Sequence, residues 1–212
     1  LFLALMVLWS VVTPNFRNPD EPQHVNSVLR LAEGGGWPAP GEAFVLPEVL
    51  RAKTLTGFSA VDGQQGNWVG GTLLPGVRET IPPDELMYYA PFSGRPVTPP
   101  EDRLPFPQLE LTRDVDLQQH GDQMTQHPPL YYAVSAAVVN ATGSLDWPFD
   151  RTLTLMRLVS VAMVGFLPLM AFSVTRRLTG NRRLADAAAL LPLGIPQLAS
   201  LGGSVSNDAL VI

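Results

Sequence analysis

The run "LVSVAMVGFLPLMAFSVTRRLTGNRRLADAAALLPLGIPQLASL", residues 158–201, decides how the rest of the chain is read. It contains two apolar segments, Leu158 to Thr175 and Leu184 to Leu201, each 18 residues long. A bilayer core needs roughly 17–25 residues of helix. Between them sit Arg176, Arg177, Arg182 and Arg183 in "RRLTGNRR". Four Arg between two apolar spans form the positive-inside signal, so this loop is expected to be cytoplasmic. The first span then runs from outside to inside and the second returns.

Working outward, "LFLALMVLWSVVTP" (1–14) is short for a span and has no small-x-small cleavage site after Pro14. It reads as a truncated transmembrane helix rather than a signal peptide. At the other end "NDALVI" resembles the start of a further apolar segment, so the chain is expected to be a fragment of a longer, all-α polytopic integral membrane protein. Residues 15–156 carry 17 acidic and 9 basic side chains, and the expected topology places this acidic stretch outside. An acidic exterior excludes nucleic acid as a partner, because phosphate binding requires a basic stripe. There is no Cys, hence no disulfide and no thiolate metal site.

"DEPQHVNSVLRLAE" (20–33) has the pattern of a short amphipathic helix. Asp20 is placed to cap it, with Glu21 and Pro22 in the first turn. Val25, Val28, Leu29 and Ala32 share one face, and Gln23, Asn26, Arg30 and Glu33 the other, as in a helix lying in an interface. The glycines 34–36 end it. Residues 37–126 are rich in Pro, Gly and isolated aromatics and read as an extracytoplasmic loop domain, with a turn or two of helix at Glu48–Thr54 and Asp84–Tyr89.

The segment 127–156 begins with "HPPLYYAVSAAVVNA", apolar over about 14 residues, a length suited to a re-entrant or interfacial helix. Were it to cross, the Arg loop would land outside, against the charge rule. Trp147 and Phe149 suit headgroup depth, and the Tyr pairs 88–89 and 131–132 read most simply as interface anchors. The regions are therefore 1–14, a juxtamembrane helix in 15–36, the loop domain 37–126, the dip and connector 127–156, and two spans with the Arg loop in 157–212.

This topology gathers three polar clusters on one side of the membrane: Asp20, Glu21 and His24; Gln126 and His127; and Ser204, Ser206, Asn207 and Asp208. Ionisable groups at a membrane interface are costly to keep and usually serve function. Simpler roles exist for each. Asp20 and Glu21 suffice as cap and dipole partner, and His24 as a satisfied interfacial group. Glu21-x-x-His24 has the spacing of half a di-iron site, but no second E-x-x-H is present. Asp186 can pair with Arg182 or Arg183, and "NAT" at 140–142 matches the N-glycosylation pattern by accident of sequence.

The order of these motifs carries a resemblance. A first span, D-E on a juxtamembrane helix, "HPPLYY" (127–132), an Arg-started span, R-R-L-x-G-x-R-R, and a span ending near "SVSNDAL" (204–210) resemble the N-terminal module of GT-C membrane glycosyltransferases. Protein O-mannosyltransferases and lipid A aminoarabinose transferases share the layout. So does a family of bacterial polytopic membrane proteins with D-E-x-x-H at the same place. The resemblance covers 1–33 and 126–212 and leaves 37–125 unmatched. It implies transfer of a sugar from a polyprenyl-phosphate carrier to an acceptor outside the cytoplasmic membrane of a bacterium. Membrane lipid is the second partner implied. Asp20 would be the base, and Glu21 would orient it or help hold a divalent cation, the one cofactor the resemblance raises. His24, His127, Asn207 and Asp208 would contact substrate. The lipid A enzymes have K-P-P where this chain has H-P-P, so phosphate binding by charge would depend on the protonation of His127. A transporter or flippase-like protein is the alternative, because Pro168, Pro192 and Pro196 interrupt the spans.

Overall fold

The computed structural model describes residues 1–56, 68–69, 72–73, 98–111 and 120–210, and the architecture is mostly helical. The helices are α1 (Phe2–Val12), α2 (Glu21–Ala32), α3 (Pro47–Leu55), α4 (Leu130–Thr142), α5 (Phe149–Val164), α6 (Leu167–Thr179), α7 (Arg182–Leu190) and α8 (Pro196–Gly202). Among the described residues the only strands are two antiparallel pieces of two residues each, Trp68–Val69 and Thr72–Leu73. The helix expected at Asp84–Tyr89 lies outside the described residues, as do Tyr88 and Tyr89.

Helices α5 and α6 join through Gly165 and run on as one 31-residue segment, Phe149–Thr179, long and apolar enough to cross a membrane. Its most apolar window is only 17% buried inside the protein, which is not how the core helix of a water-soluble domain behaves. The segment begins nine residues before Leu158, because Pro148 starts the helix ahead of the apolar run. It ends at Gly180, left-handed at φ 68°, where a residue without a Cβ meets no penalty.

The second expected span is broken. Residues 182–194 and Pro196–Gly202 meet at 70°, at a point where Pro192 and Pro196 remove backbone donors. Two polypeptide segments pack closely here: a Cβ at Gly202 would stand 2.5 Å from Met6 Sδ, and one at Gly203 would stand 3.0 Å from the Met6 carbonyl. Small residues thus let α8 approach α1, as is common between membrane helices. Helices α1 and α4, at 11 and 13 residues, are apolar but too short to span alone.

Helix α2 departs from the interface picture. Its apolar face packs as expected, with Val25, Val28 and Leu29 fully buried, but the opposite face is covered too. Asn26 is fully buried, donating to Asp122 Oδ2 (2.6 Å) and accepting from the Leu46 amide (2.7 Å). Parts of the expected loop domain therefore belong to the main core. Val45, Val49, Leu50, Ala52, Phe106 and Leu109 join the cluster formed by Val28, Leu29, Tyr131 and Tyr132. Buried Asp122 ties this layer down, accepting from Asn26, Ser27 (3.0 Å) and the Met124 amide (2.9 Å).

Two further expectations change. Phe149 is buried rather than at headgroup depth, stacked on Phe16 and tilted against Phe106, with the Arg103 guanidinium 5.5 Å from its ring centroid. Tyr131 and Tyr132 are also buried and so are not interface anchors. Trp147, by contrast, is 39% exposed.

Candidate functional site

The link between α1 and α2 holds both non-glycine residues with left-handed backbone among the described residues, Phe16 (φ 61°) and Asp20 (φ 52°). Such conformations persist only where their surroundings enforce them. The enforcing group is Arg157 on α5. Its Nε donates to Glu21 Oε1 (2.8 Å) and its Nη2 to Oε2 (2.7 Å), a two-pronged pair in which both side chains are 1% exposed or less. The same guanidinium donates to the carbonyls of Ser10 (2.8 Å), Thr13 (2.7 Å) and Pro14 (3.0 Å). Ser10 lies in the last turn of α1 and Thr13 is its cap, so the guanidinium supplies donors where the helix runs out of its own, and α1 has no basic residue in its own last turn. Glu21 Oε1 also accepts from the Val205 amide (3.2 Å) and from Asn18 Nδ2 (3.3 Å). One ion pair therefore joins α1, α2, α5 and the segment after α8.

Above this anchor lies a cleft of about 350 Å³. One wall comes from the start of α2, with Pro19, Asp20 and His24; the other comes from α8 and the turn after it, with Gln197, Ser200, Leu201, Ser204, Ser206 and Asp208. Asp20 and Asp208, 188 positions apart in sequence, thus share one cavity. Asp20 is exposed, and its carboxylate makes no capping bond: the backbone carbonyl of Asp20 instead accepts from the Gln23 and His24 amides (both 3.0 Å). The expected side-chain cap is absent because left-handed φ turns the residue away from the extended geometry that a capping side chain uses.

His24 is buried, and Tyr132 Oη lies 3.0 Å from its Nδ1. Burial, reinforced by the charge of His127, lowers its pKa to about 4, so the imidazole is neutral at pH 7. The neighbouring Tyr131 steadies the other wall, with its hydroxyl 2.7 Å from Ser160 Oγ and accepting from the Ser206 amide (3.1 Å). The two tyrosines of "HPPLYY" therefore clamp both sides of the cleft from beneath.

Of the residues expected at a site, Asp20, His24 and Asp208 line the cleft, whereas Glu21, His127 and Asn207 do not. Glu21 lies underneath, with both oxygens taken by Arg157. His127 is half-buried and reaches His24 only through its charge. Asn207 is half-buried at the start of the turn Asn207–Leu210. Among the described residues no Arg or Lys is in the lining. As for a divalent cation, no three His, Asp or Glu among the described residues are grouped to hold one. The chemistry available is that of an uncommitted carboxylate, a neutral imidazole and a row of hydroxyls.

Sequence reasoning passed over Arg157, Tyr131, Tyr132 and Asp122. A signal existed for the first: an Arg inside the apolar run "LMRLVSV" needs a counter-ion, and Glu21 was a candidate. Comparison with known proteins gives no matching family model, no matching curated protein and no matching solved structure.

Proposed function

We propose that this chain belongs to a polytopic bacterial membrane glycosyltransferase of GT-C type. In this reading it moves a sugar from a polyprenyl-phosphate donor to an acceptor on the extracytoplasmic side of the cytoplasmic membrane. One observation carries the proposal: an exposed carboxylate with no partner among the described residues, Asp20, shares a cleft with Asp208. Transfer to a hydroxyl requires a base within hydrogen-bond reach of that hydroxyl. Asp20 serves as the base. His24, neutral and held by Tyr132, orients the acceptor by hydrogen bonding, and the hydroxyls of Ser200, Ser204 and Ser206 supply further contacts to a sugar. Glu21 contributes through Arg157, by fixing the strained turn that presents Asp20.

Asn in place of Asp20 keeps its size and tolerates left-handed backbone well. Asp20→Asn in the full-length protein is therefore expected to leave membrane insertion unchanged and to lower transfer from a polyprenyl-phosphate sugar donor by about 10²-fold or more. Asp102→Asn, which also removes an exposed acid but lies outside the cleft, should leave transfer unaffected. Retention of full transfer by Asp20→Asn would overturn the assignment.

The 70° break between α7 and α8 favours a second reading, because broken helices whose ends line a cavity also occur in transporters. Proteoliposomes holding the full-length protein separate the two. Solute flux without any transfer product would establish the transporter.

A further inference from the structure

The α6–α7 hairpin contributes no residue to the cleft lining and carries a cluster of positive charge that no acidic side chain among the described residues pairs with. Arg176 and Arg177 occupy the last turn of α6, where the helix dipole favours cations. Arg182 and Arg183 occupy the first turn of α7, where the dipole opposes them, and no acidic residue shares that turn. All four are exposed, and Gly180 and Asn181 fold them into one tip. Arg176 donates to the Gly180 carbonyl. Arg177, Arg182 and Arg183 make no hydrogen bond or ion pair among the described residues; Asp186, the one acid in the hairpin, pairs with none of them. Like charges gathered at one tip repel one another by a few tenths of a kcal/mol per close pair, and an anion seated there relieves that repulsion.

The neighbouring surface indicates what kind of anion. Phe166, Met170, Val174 and Leu178 recur at i, i+4 along α6 and are 63%, 60%, 54% and 81% exposed. Arg177, three residues after Val174, lies at the end of the same stripe. A soluble anion would use the charges and leave the stripe bare. An amphiphile with an anionic head uses both.

We infer that the α6–α7 tip is a binding site for an anionic phospholipid, with the headgroup phosphate on the guanidinium groups and an acyl chain along Phe166, Met170 and Val174. Guanidinium suits this task because its fork of donors matches phosphate oxygens. The inference rests on the membrane reading of α5–α6 and not on the transferase assignment, so the Asp20→Asn experiment and the one below fail independently.

The full-length protein is reconstituted into phosphatidylcholine bilayers containing spin-labelled phosphatidylglycerol or, separately, spin-labelled phosphatidylcholine. The motionally restricted fraction of each probe is then compared. Phosphatidylglycerol is expected to be favoured about fivefold for each guanidinium engaged at low salt. The preference should collapse at about 1 M salt, where the screening length is about 3 Å. The triple variant Arg177→Gln, Arg182→Gln, Arg183→Gln should bring the ratio to near one, while the corresponding Lys variant keeps most of it. Both leaflets carry the same lipids, so the result does not depend on insertion orientation and is separate from any role of the Arg residues in topology. Equal restriction of the two probes by the unaltered protein would overturn the inference. So would a preference that survives the Gln variant or high salt. If the Gln variant does not insert, the salt dependence of the unaltered protein decides.

Discussion

Helices α2 and α6 are nearly equal in length, 12 and 13 residues, and are covered in opposite ways. α2 includes Glu, Gln, His, Asn, Ser and Arg, yet Glu21, His24, Asn26 and Ser27 are buried along with its valines. α6 is dominated by apolar residues through its first nine positions, and none of its residues is buried. The usual correlation between polarity and exposure is reversed. A polar helix can be buried when every polar group finds a partner, as Glu21 does in Arg157 and Asn26 in Asp122. An apolar helix stays uncovered without penalty when the surrounding solvent is hydrocarbon.

The sharpest way to break the comparison is to remove one partner from the buried pair. Glu21→Ala leaves the Arg157 charge uncompensated and is expected to cost about 3–5 kcal/mol, read as loss of thermal stability in detergent micelles. The double change Glu21→Leu, Arg157→Met removes the unpaired charge but should recover only part of that loss, because the Ser10 and Thr13 carbonyls then lose their donor. If the single variant were as stable as the parent protein, the pair would not be what holds α1, α2 and α5 together.

Equal truncations on the two helices give the next contrast. Leu29→Ala, on the buried face of α2, should cost about 2–5 kcal/mol. Leu178→Ala, on the 81% exposed end of α6, should stay within about 0.5 kcal/mol in the same micelles. Similar losses at both sites would mean that α6 is covered by protein.

A pH-dependent effect comes from the titration of His24. The folded protein protonates this ring only near pH 4, whereas the unfolded chain does so near 6.5. Between those values the unfolded state binds more protons, so stability falls as the pH is lowered through this window, by up to about 3 kcal/mol. His24→Gln should flatten that slope. A slope unchanged in the variant would assign it to groups other than His24.

Much of the outline was legible without coordinates. An apolar run of membrane length, the Arg loop with its glycine stop, the shortness of α4 and the glycines that end α2 all depend on local properties: hydropathy, helix length and the left-handed freedom of glycine. The expected clusters meet only in part: Asp20, His24 and Asp208 share the cleft, whereas Glu21, His127 and Asn207, expected there on the same grounds, do not line it. That Asp20 makes no side-chain cap was not legible, since its left-handed backbone is imposed from outside the helix.

The sequence by itself determined the mostly helical class, the membrane-length segment and the candidate acids. Only the tertiary structure decided which of two adjacent acids is committed and which is available. Glu21 and Asp20 are equivalent as letters in "PDEP". The difference between them comes from Arg157, 136 residues away, which takes both oxygens of one and none of the other. Helical periodicity shows which side of a helix is apolar. It cannot tell whether the polar side faces water or a partner, because that depends on long-range packing and on the cost of burying an unpaired charge.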